Sequence, residues 1–401
     1  MKIKNLALFV SIVHTILFIP FFTNGYISSD WDSYALIGSA KIFLEQDLYI
    51  PSRPPGFPLS ELLTITVVYL SEILNLSFEK ILLLTQYVFL TLCNFLIYKL
   101  LKMNNSRSNI YYLIMVASPI YIISGFTVID YMGGLFFGFL GIYLFKNSKE
   151  DSNLFFISLI FAISIGFRLS NIIFLASLII FLIFKEQKFI KALNIIFITG
   201  GISLFIYGIA YWSLWENSLQ TIYTEDITEI ICIFNLTNTD HSLISRLGRF
   251  VIKQTNYLSV VGSILFIVNI FKLKHIKFSE NIIYLSIFTF FQLSFLRLPT
   301  EEEHLLPAFI ALFLILSNSD INISYKKIIL FIVFLSNFLN LNFYEVDEID
   351  NATLINFNSD IKSGLLIEDY ESRNEKGQNK EFHYENSVDT LINAWKYGCP
   401  N

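Results

Sequence analysis

The run Leu6-Ala-Leu-Phe-Val-Ser-Ile-Val-His-Thr-Ile-Leu-Phe-Ile-Pro-Phe-Phe22 passes, after a short link, into Ser29-Asp30-Trp31-Asp32-Ser33-Tyr34. The first stretch carries no charge and approaches the ~20 residues that cross a bilayer. The second places two carboxylates directly beyond it. Unpaired charge is penalised beside hydrocarbon, so acidic residues at this boundary mark a candidate site. Farther on, Ser52-Arg53-Pro54-Pro55-Gly56-Phe57-Pro58 adds an arginine to a stretch whose prolines hold the backbone extended.

Composition extends the membrane reading to the whole chain. Of 401 residues, 54% are hydrophobic and 15% charged, and 41 are Phe. A soluble domain carries about 25% charge. The expected fold is therefore an all-α polytopic membrane protein. Net charge is −5, with basic residues in short clusters between apolar runs and an acidic C-terminal tail. No basic patch of the kind that binds nucleic acid is present. Met1 to Pro20 lacks a small-residue cleavage site and reads as a retained signal-anchor helix. The three cysteines have no zinc or redox spacing. Cys93 falls in a span, and Cys232 and Cys399 fall on one side, where a disulfide is open to them.

About 11 transmembrane helices are expected, over 5–22, 80–98, 110–128, 131–145, 153–167, 170–184, 192–214, 255–271, 281–296, 304–318 and 328–344. Lys2/Lys4, Lys99/Lys102/Arg107, Lys146/Lys149, Lys185/Lys188/Lys191, Lys272/Lys274/Lys277 and Lys326/Lys327 lie between them. All share one side if 58–76 does not cross, and that side is cytoplasmic by the positive-inside rule. The segment 58–76 then reads as an amphipathic interfacial helix with Glu61 and Glu72 facing water. The domain division is a membrane domain over 1–344 and a small polar outer tail over 345–401.

The polar residues left on the outer side are the candidates for chemistry. Asp30 and Asp32 share a face if extended. One would act as a general base, with the other orienting it or helping to bind a divalent cation. Equally, Ser-Asp-Trp-Asp before Ser33–Leu44 is good helix-capping chemistry. Arg53 suits a phosphate, because its guanidinium donates two hydrogen bonds in a fixed fork. Asp130 sits between two apolar runs, followed by Gly133-Gly134, which permit close helix packing. Arg168 interrupts another apolar stretch, and either pairs with Asp130 or reaches a phosphate. Arg297-Leu-Pro-Thr-Glu-Glu-Glu-His304-Leu-Leu-Pro307 is a late polar island. Arg297 would bind phosphate there, and Glu303 and His304 would contact hydroxyls.

These motifs, in this order, resemble the GT-C superfamily of integral-membrane glycosyltransferases, which includes protein O-mannosyltransferases and lipid A aminoarabinose transferases. The likeness rests on Asp30-Trp-Asp-Ser-Tyr34-Ala after the first span and Arg53-Pro-Pro-Gly-Phe-Pro58 before an interfacial helix. A lone Asp130 in the second outer loop and the late His304-Leu-Leu-Pro307 complete it. It is strongest over 1–185. The resemblance implies a prokaryotic cytoplasmic membrane, a site on the outer face, a polyprenyl-phosphate-linked sugar donor and inversion at the anomeric carbon. The acceptor would be a hydroxyl on protein, glycan or lipid. Asp30 matches the catalytic acidic position, with Tyr34 at the family's spacing, and Asp32 is an additional carboxylate. Arg53 matches a basic residue near the donor phosphate, and Asp130 the second acidic position. Relatives often place Arg-Tyr before Leu-Leu-Pro; here Glu303-His304 stands there, leaving Arg297 to substitute. If a metal takes part, Asp30 and Asp32 would hold it as Mg2+ or Mn2+. Two other classes compete. An envelope polysaccharide polymerase or ligase would use loop 215–254, with Arg246 and Arg249. A lipid or solute transporter would place polar residues near mid-membrane.

Overall fold

The computed structural model describes residues 4–47, 49–52, 56–103, 109–148, 153–216, 243–270, 278–297, 302–319, 325–342, 345–349, 352–356 and 360–378. The described chain is predominantly helical. Its helices are α1 Lys4–Asn24, α2 Trp31–Gln46, α3 Pro58–Ile73, α4 Phe78–Lys102, α5 Asn109–Val116, α6 Pro119–Phe126, α7 Tyr131–Asn147, α8 Leu154–Phe167, α9 Ile172–Phe184 and α10 Phe189–Glu216. They continue as α11 Leu243–Thr255, α12 Ser259–Ile270, α13 Phe278–Arg297, α14 Leu306–Asn318, α15 Lys326–Leu335 and α16 Leu365–Gln378.

Each apolar run holds at least one helix, but most of these helices are short. Among the described residues three are long and apolar enough to cross a membrane: Leu6–Asn24, Phe78–Lys102 and Phe189–Ala210. The number rises to five if each of two bent pairs is one span. Large apolar side chains face outward along them, Phe9, Ile12 and Ile16 on α1 and Phe197, Leu204 and Phe205 on α10. Outward-facing apolar surface of this extent suits lipid rather than water. The chain is a membrane protein.

Two departures from the expected elements have identifiable causes. The run 110–128 is two helices bent by 58°. Pro119 has no N–H and drives the preceding residue out of the helical region, and Ser118 is extended at ψ 131°. The bend frees carbonyls, which apolar surroundings require to be paired. His14 Nε2 lies 3.0 Å from Val116 O, and Asn337 Nδ2 donates to Ala117 O at 2.9 Å. A carbonyl only accepts, so His14 carries its proton on Nε2. Its Nδ1 accepts from Asn94 (3.1 Å), whose Oδ1 accepts from Tyr121 (2.9 Å). One directed chain of hydrogen bonds thus joins α1, α4 and α6.

The run 328–344 leaves the helical state at Leu335, after which, among the described residues, two short two-stranded ribbons are added to a fold that is otherwise all-α. Leu339-Asn-Leu-Asn342 alternates with the period of a strand and forms β1, antiparallel to β4, Asp360–Ser363. β2 (Glu345–Ile349) pairs antiparallel with β3 (Ala352–Asn356). β1 and β4 span the division drawn at 344, so the tail is tied to the chain before it. α16 follows. Gly364 N donates to Phe338 O (3.0 Å), and a Cβ at Gly364 would lie 2.3 Å from Asn337 C. Only glycine allows this approach.

The helix ends sort by chemistry. Lys146 bonds Tyr284 Oη (2.9 Å), Lys185 bonds Ser279 O (2.6 Å), and Lys99 lies over Tyr143. Asp130, Arg168 and His304 meet at the other end. α3 starts there as well: Phe57 lies 5.8 Å from Arg168. After α3 the chain re-enters the bundle at the same end, with Glu79 against Gly25.

Replacing His14 by Phe, or Asn337 by Ala, strands one carbonyl at the bend. Each variant is expected to lose about 1–3 kcal/mol, the cost of an unpaired buried polar group. Chemical unfolding in mild detergent measures it, and a loss below about 0.5 kcal/mol for both would refute the capping role.

Candidate functional site

Asp130 ends the α6–α7 link and is 2% exposed. It stands at the N-cap position of α7, yet its side chain makes no cap bond. Its Oδ2 instead accepts from Arg168 Nη1 at 2.7 Å. Arg168 extends between α8 and the 3-10 turn Leu169–Asn171. Its other donors reach Ser170 Oγ (Nε, 3.2 Å) and His304 Nε2 (Nη2, 2.6 Å), and its plane lies 4.0 Å from the Tyr131 ring. Arginine only donates, so His304 Nε2 is unprotonated and the ring proton sits on Nδ1. Three motifs far apart in the chain thus form one buried assembly. Glycine packing sets its geometry. A Cβ at Gly133 would meet the Phe167 ring at 2.7 Å, and one at Gly134 would meet Asn171 Nδ2 at 2.3 Å. Ser164 Oγ donates to Gly134 O (2.8 Å), and Asn171 Nδ2 to Ser164 O (3.1 Å). The α7–α8 approach that brings Asp130 to Arg168 is therefore fixed by small residues.

Asp30 is the N-cap of α2: its Oδ1 accepts from Asp32 N at 3.1 Å. Asp30 and Asp32 are both half-buried. Tyr34 is buried and donates to Ser28 O (3.2 Å). Burial pushes the Tyr34 phenol up, opposed by the charge of Arg373. The Asp30 loop lies against the Asp130 loop, with Val128 N donating to Ile27 O at 3.0 Å. Among the described residues no group of three or more His, Cys, Asp or Glu is arranged to hold a metal ion. Asp30 and Asp32 are a pair only, a donor set that would need substrate phosphate and water to complete an Mg2+ or Mn2+ shell.

No family model, curated protein or solved structure matches this chain.

The sequence-derived candidates thus divide. Asp130, Arg168 and His304 come together, with Glu303 beside them on the wall of a small crevice. Arg168 pairs with Asp130. Arg297 is the last residue of α13, and its side chain lies outside the described part, as does all of Arg53. Cys232 and Cys399 also lie outside it, and Cys93 is a buried free thiol. On the far side of Glu302–Leu305 is an apolar cavity of about 330 Å3, bounded by Gln254, Tyr257, Phe266, Gln292, Leu305 and Phe309. Tyr257 Oη donates to Glu302 O (2.6 Å), and Lys253 pairs with Glu302 (3.4 Å).

Glu61 corrects the expectation for α3. It does not face water; it is 0% exposed. The exposed face of α3 holds Leu62, Tyr69, Leu70 and Ile73 alongside Glu72, and the buried face holds Ser60, Glu61, Thr64 and Ser71. The buried face also packs Ile65, Val67 and Val68, so α3 buries a mixed face and exposes a largely apolar one that suits lipid. Glu61 Oε1 accepts from Ser52 N (2.7 Å) and Ser52 Oγ (2.8 Å), and Tyr49 Oη donates to Oε2. It therefore anchors the residue immediately before Arg53. Sequence reasoning passed over it because periodicity defines a face without saying what the face meets.

Burial raises the Glu61 carboxyl above its ordinary value, and the Tyr49 and Ser52 bonds act against this. The folded state therefore holds the proton more tightly than the unfolded one. Its contribution is complete below the ordinary carboxylate range and is lost as pH rises through the raised value. Thermal unfolding across this range should show stability falling with pH in wild type and a flatter profile in Glu61→Gln, whose amide keeps the Ser52 and Tyr49 contacts. Equal slopes would contradict the assignment.

Proposed function

We propose that this chain is a GT-C-type membrane glycosyltransferase. It moves a sugar from a polyprenyl-phosphate donor to an acceptor hydroxyl at the outer face of a prokaryotic cytoplasmic membrane, with inversion. The observation that carries this reading is the meeting of two acidic loops at one end of an apolar helix bundle, beside an apolar cavity. A donor with a lipid tail and a charged head needs both environments together. The collection of lysines at the opposite end supports a cytoplasmic assignment for that end. With it, the eleven apolar runs are read as spans, the shorter ones thinning the bilayer or ending against protein.

Asp30 takes the proton of the acceptor hydroxyl. The hydroxyl oxygen attacks the anomeric carbon from the face opposite the phosphate. The bond from that carbon to the phosphate oxygen breaks, and polyprenyl phosphate leaves with the electron pair. The leaving phosphate needs charge stabilisation more than a proton. Arg53 and Arg297 supply it, because Arg168 is committed to Asp130 and His304. Asp32 orients Asp30, and Glu303 and His304 face the sugar. A divalent cation, if bound by Asp30 and Asp32, would add further positive charge at the phosphate.

One specific feature favours a second reading, an envelope polysaccharide polymerase or ligase. Arg246 and Arg249 lie on α11, whose Val251, Gln254 and Thr255 line the apolar cavity.

Sugar transfer in membranes, with a panel of polyprenyl-phosphate sugars and native acceptor extract, tests the assignment. Asp30→Asn should lower turnover about 10²–10⁴-fold, the worth of a general base. The doubly substituted Arg246→Ala/Arg249→Ala protein should retain most activity. Transfer undiminished by Asp30→Asn but abolished by the arginine substitutions would reverse the order of the two readings.

A further inference from the structure

The acidic tail contains an arginine that no part of the proposed chemistry uses. Arg373 on α16 is 1% exposed, one of the most deeply buried large side chains of the protein. A buried cation must be paired and hydrogen-bonded to persist. Arg373 Nη1 donates to Phe126 O (2.7 Å), Tyr26 O (3.2 Å) and Ile27 O (3.3 Å). Nη2 donates to Thr127 Oγ1 (2.6 Å) and lies 2.8 Å from Asp369 Oδ2, one helical turn earlier. The guanidinium also stacks over Phe21 at 5.0 Å. Asp369 Oδ1 in turn accepts from Ser29 Oγ at 2.9 Å, the residue before Asp30.

These contacts share one property. Tyr26, Ile27 and Ser29 belong to the loop that ends at Asp30. Phe126 ends α6, and Thr127 begins the link that ends at Asp130. One guanidinium therefore joins the two loops, with its ion-pair partner reaching the residue beside Asp30. The rest of α16 is held independently: Leu366 is buried, Tyr370 meets the Phe21 ring edge-on at 5.2 Å, and Asn24 Nδ2 donates to Tyr370 Oη (3.1 Å).

We infer that Arg373, with Asp369, is a positioning residue that fixes the distance between the Asp30 and Asp130 loops, so that the C-terminal helix completes the candidate site. This inference rests on the glycosyltransferase reading for its catalytic consequence, but not for its structural one. Arg373 touches no substrate in this scheme. It acts through backbone carbonyls that set where Asp30 stands.

The test uses the full-length protein in mild detergent and in membranes, with Arg373→Met, Arg373→Lys and Ser29→Ala. Hydrogen exchange of peptides covering 26–30 and 126–130 reads the staple without reference to activity. Exchange in both should rise at least about tenfold in Arg373→Met, partly recover in Arg373→Lys, and rise in Ser29→Ala at 26–30 alone. Transfer kinetics should show kcat down about tenfold or more in Arg373→Met, with donor KM within about twofold and partial rescue by lysine. If Arg373→Met does not fold, Ser29→Ala and Thr127→Val carry the same readouts. Unchanged exchange in both loops would overturn the inference, as would loosened loops with unchanged kcat. Wild-type protein inactive with every donor, but with the exchange pattern intact, would remove the glycosyltransferase reading and keep the staple.

Discussion

The pair between Arg168 and Asp130 is the constraint around which the rest is arranged. Both groups sit where an apolar bundle excludes water, and neither persists there alone. Satisfying them takes more than their mutual attraction. Arg168 needs acceptors for its remaining donors, which Ser170 and His304 supply, and an aromatic plane, which Tyr131 supplies. Those partners come from the start of α7, the turn after α8 and the turn before α14. The pair can form only if these three places meet, and glycines on α7 let them meet. A charge costly to bury thus acts as a registration device for the helix ends.

The same constraint appears at three other places where the chain departs from regular helix. At the α5–α6 bend the freed carbonyls are taken by His14 and Asn337. Before α3, the Ser52 amide is taken by Glu61. Between α1 and α2, the carbonyls of Tyr26 and Ile27 are taken by Arg373. The segments before α2 and α3 adjoin candidate residues, and all three are tied by polar side chains from outside the segment. The site is built from loops, but loops whose backbone polar groups are occupied and whose positions are therefore restricted. This is the preorganisation that the proposed group transfer would require.

Much of this was legible in the residues, for physical reasons that differ by element. Apolar runs long enough to matter became helices. Asp130 and Arg168 stood out because an isolated charge in an apolar stretch needs a partner, and each was the other's nearest candidate. The Leu-Asn alternation of 339–342 and Pro119 inside 110–128 were visible signals, overshadowed by the high hydropathy around them. Glu61 and Arg373 were hidden for another reason. Glu61 lies on a mixed face of α3 with Ile65 and Val68, and the sequence does not reveal whether water, lipid or protein covers that face. Arg373 lies in a tail of mixed charge, four residues after Asp369, a spacing common on solvated helices. Three of its partners are backbone carbonyls, which carry no residue signature.

The measurement that tests this most directly is a double-mutant cycle on stability in mild detergent, using Asp130→Asn, Arg168→Met and both together. If the pair organises the helix ends, each single substitution should cost about 3–5 kcal/mol, the penalty for stranding one member of a buried ion pair. The double variant should then be more stable than the sum of the singles by about 2 kcal/mol or more. Single losses below about 1 kcal/mol that simply add would mean that the two side chains do not hold the ends together.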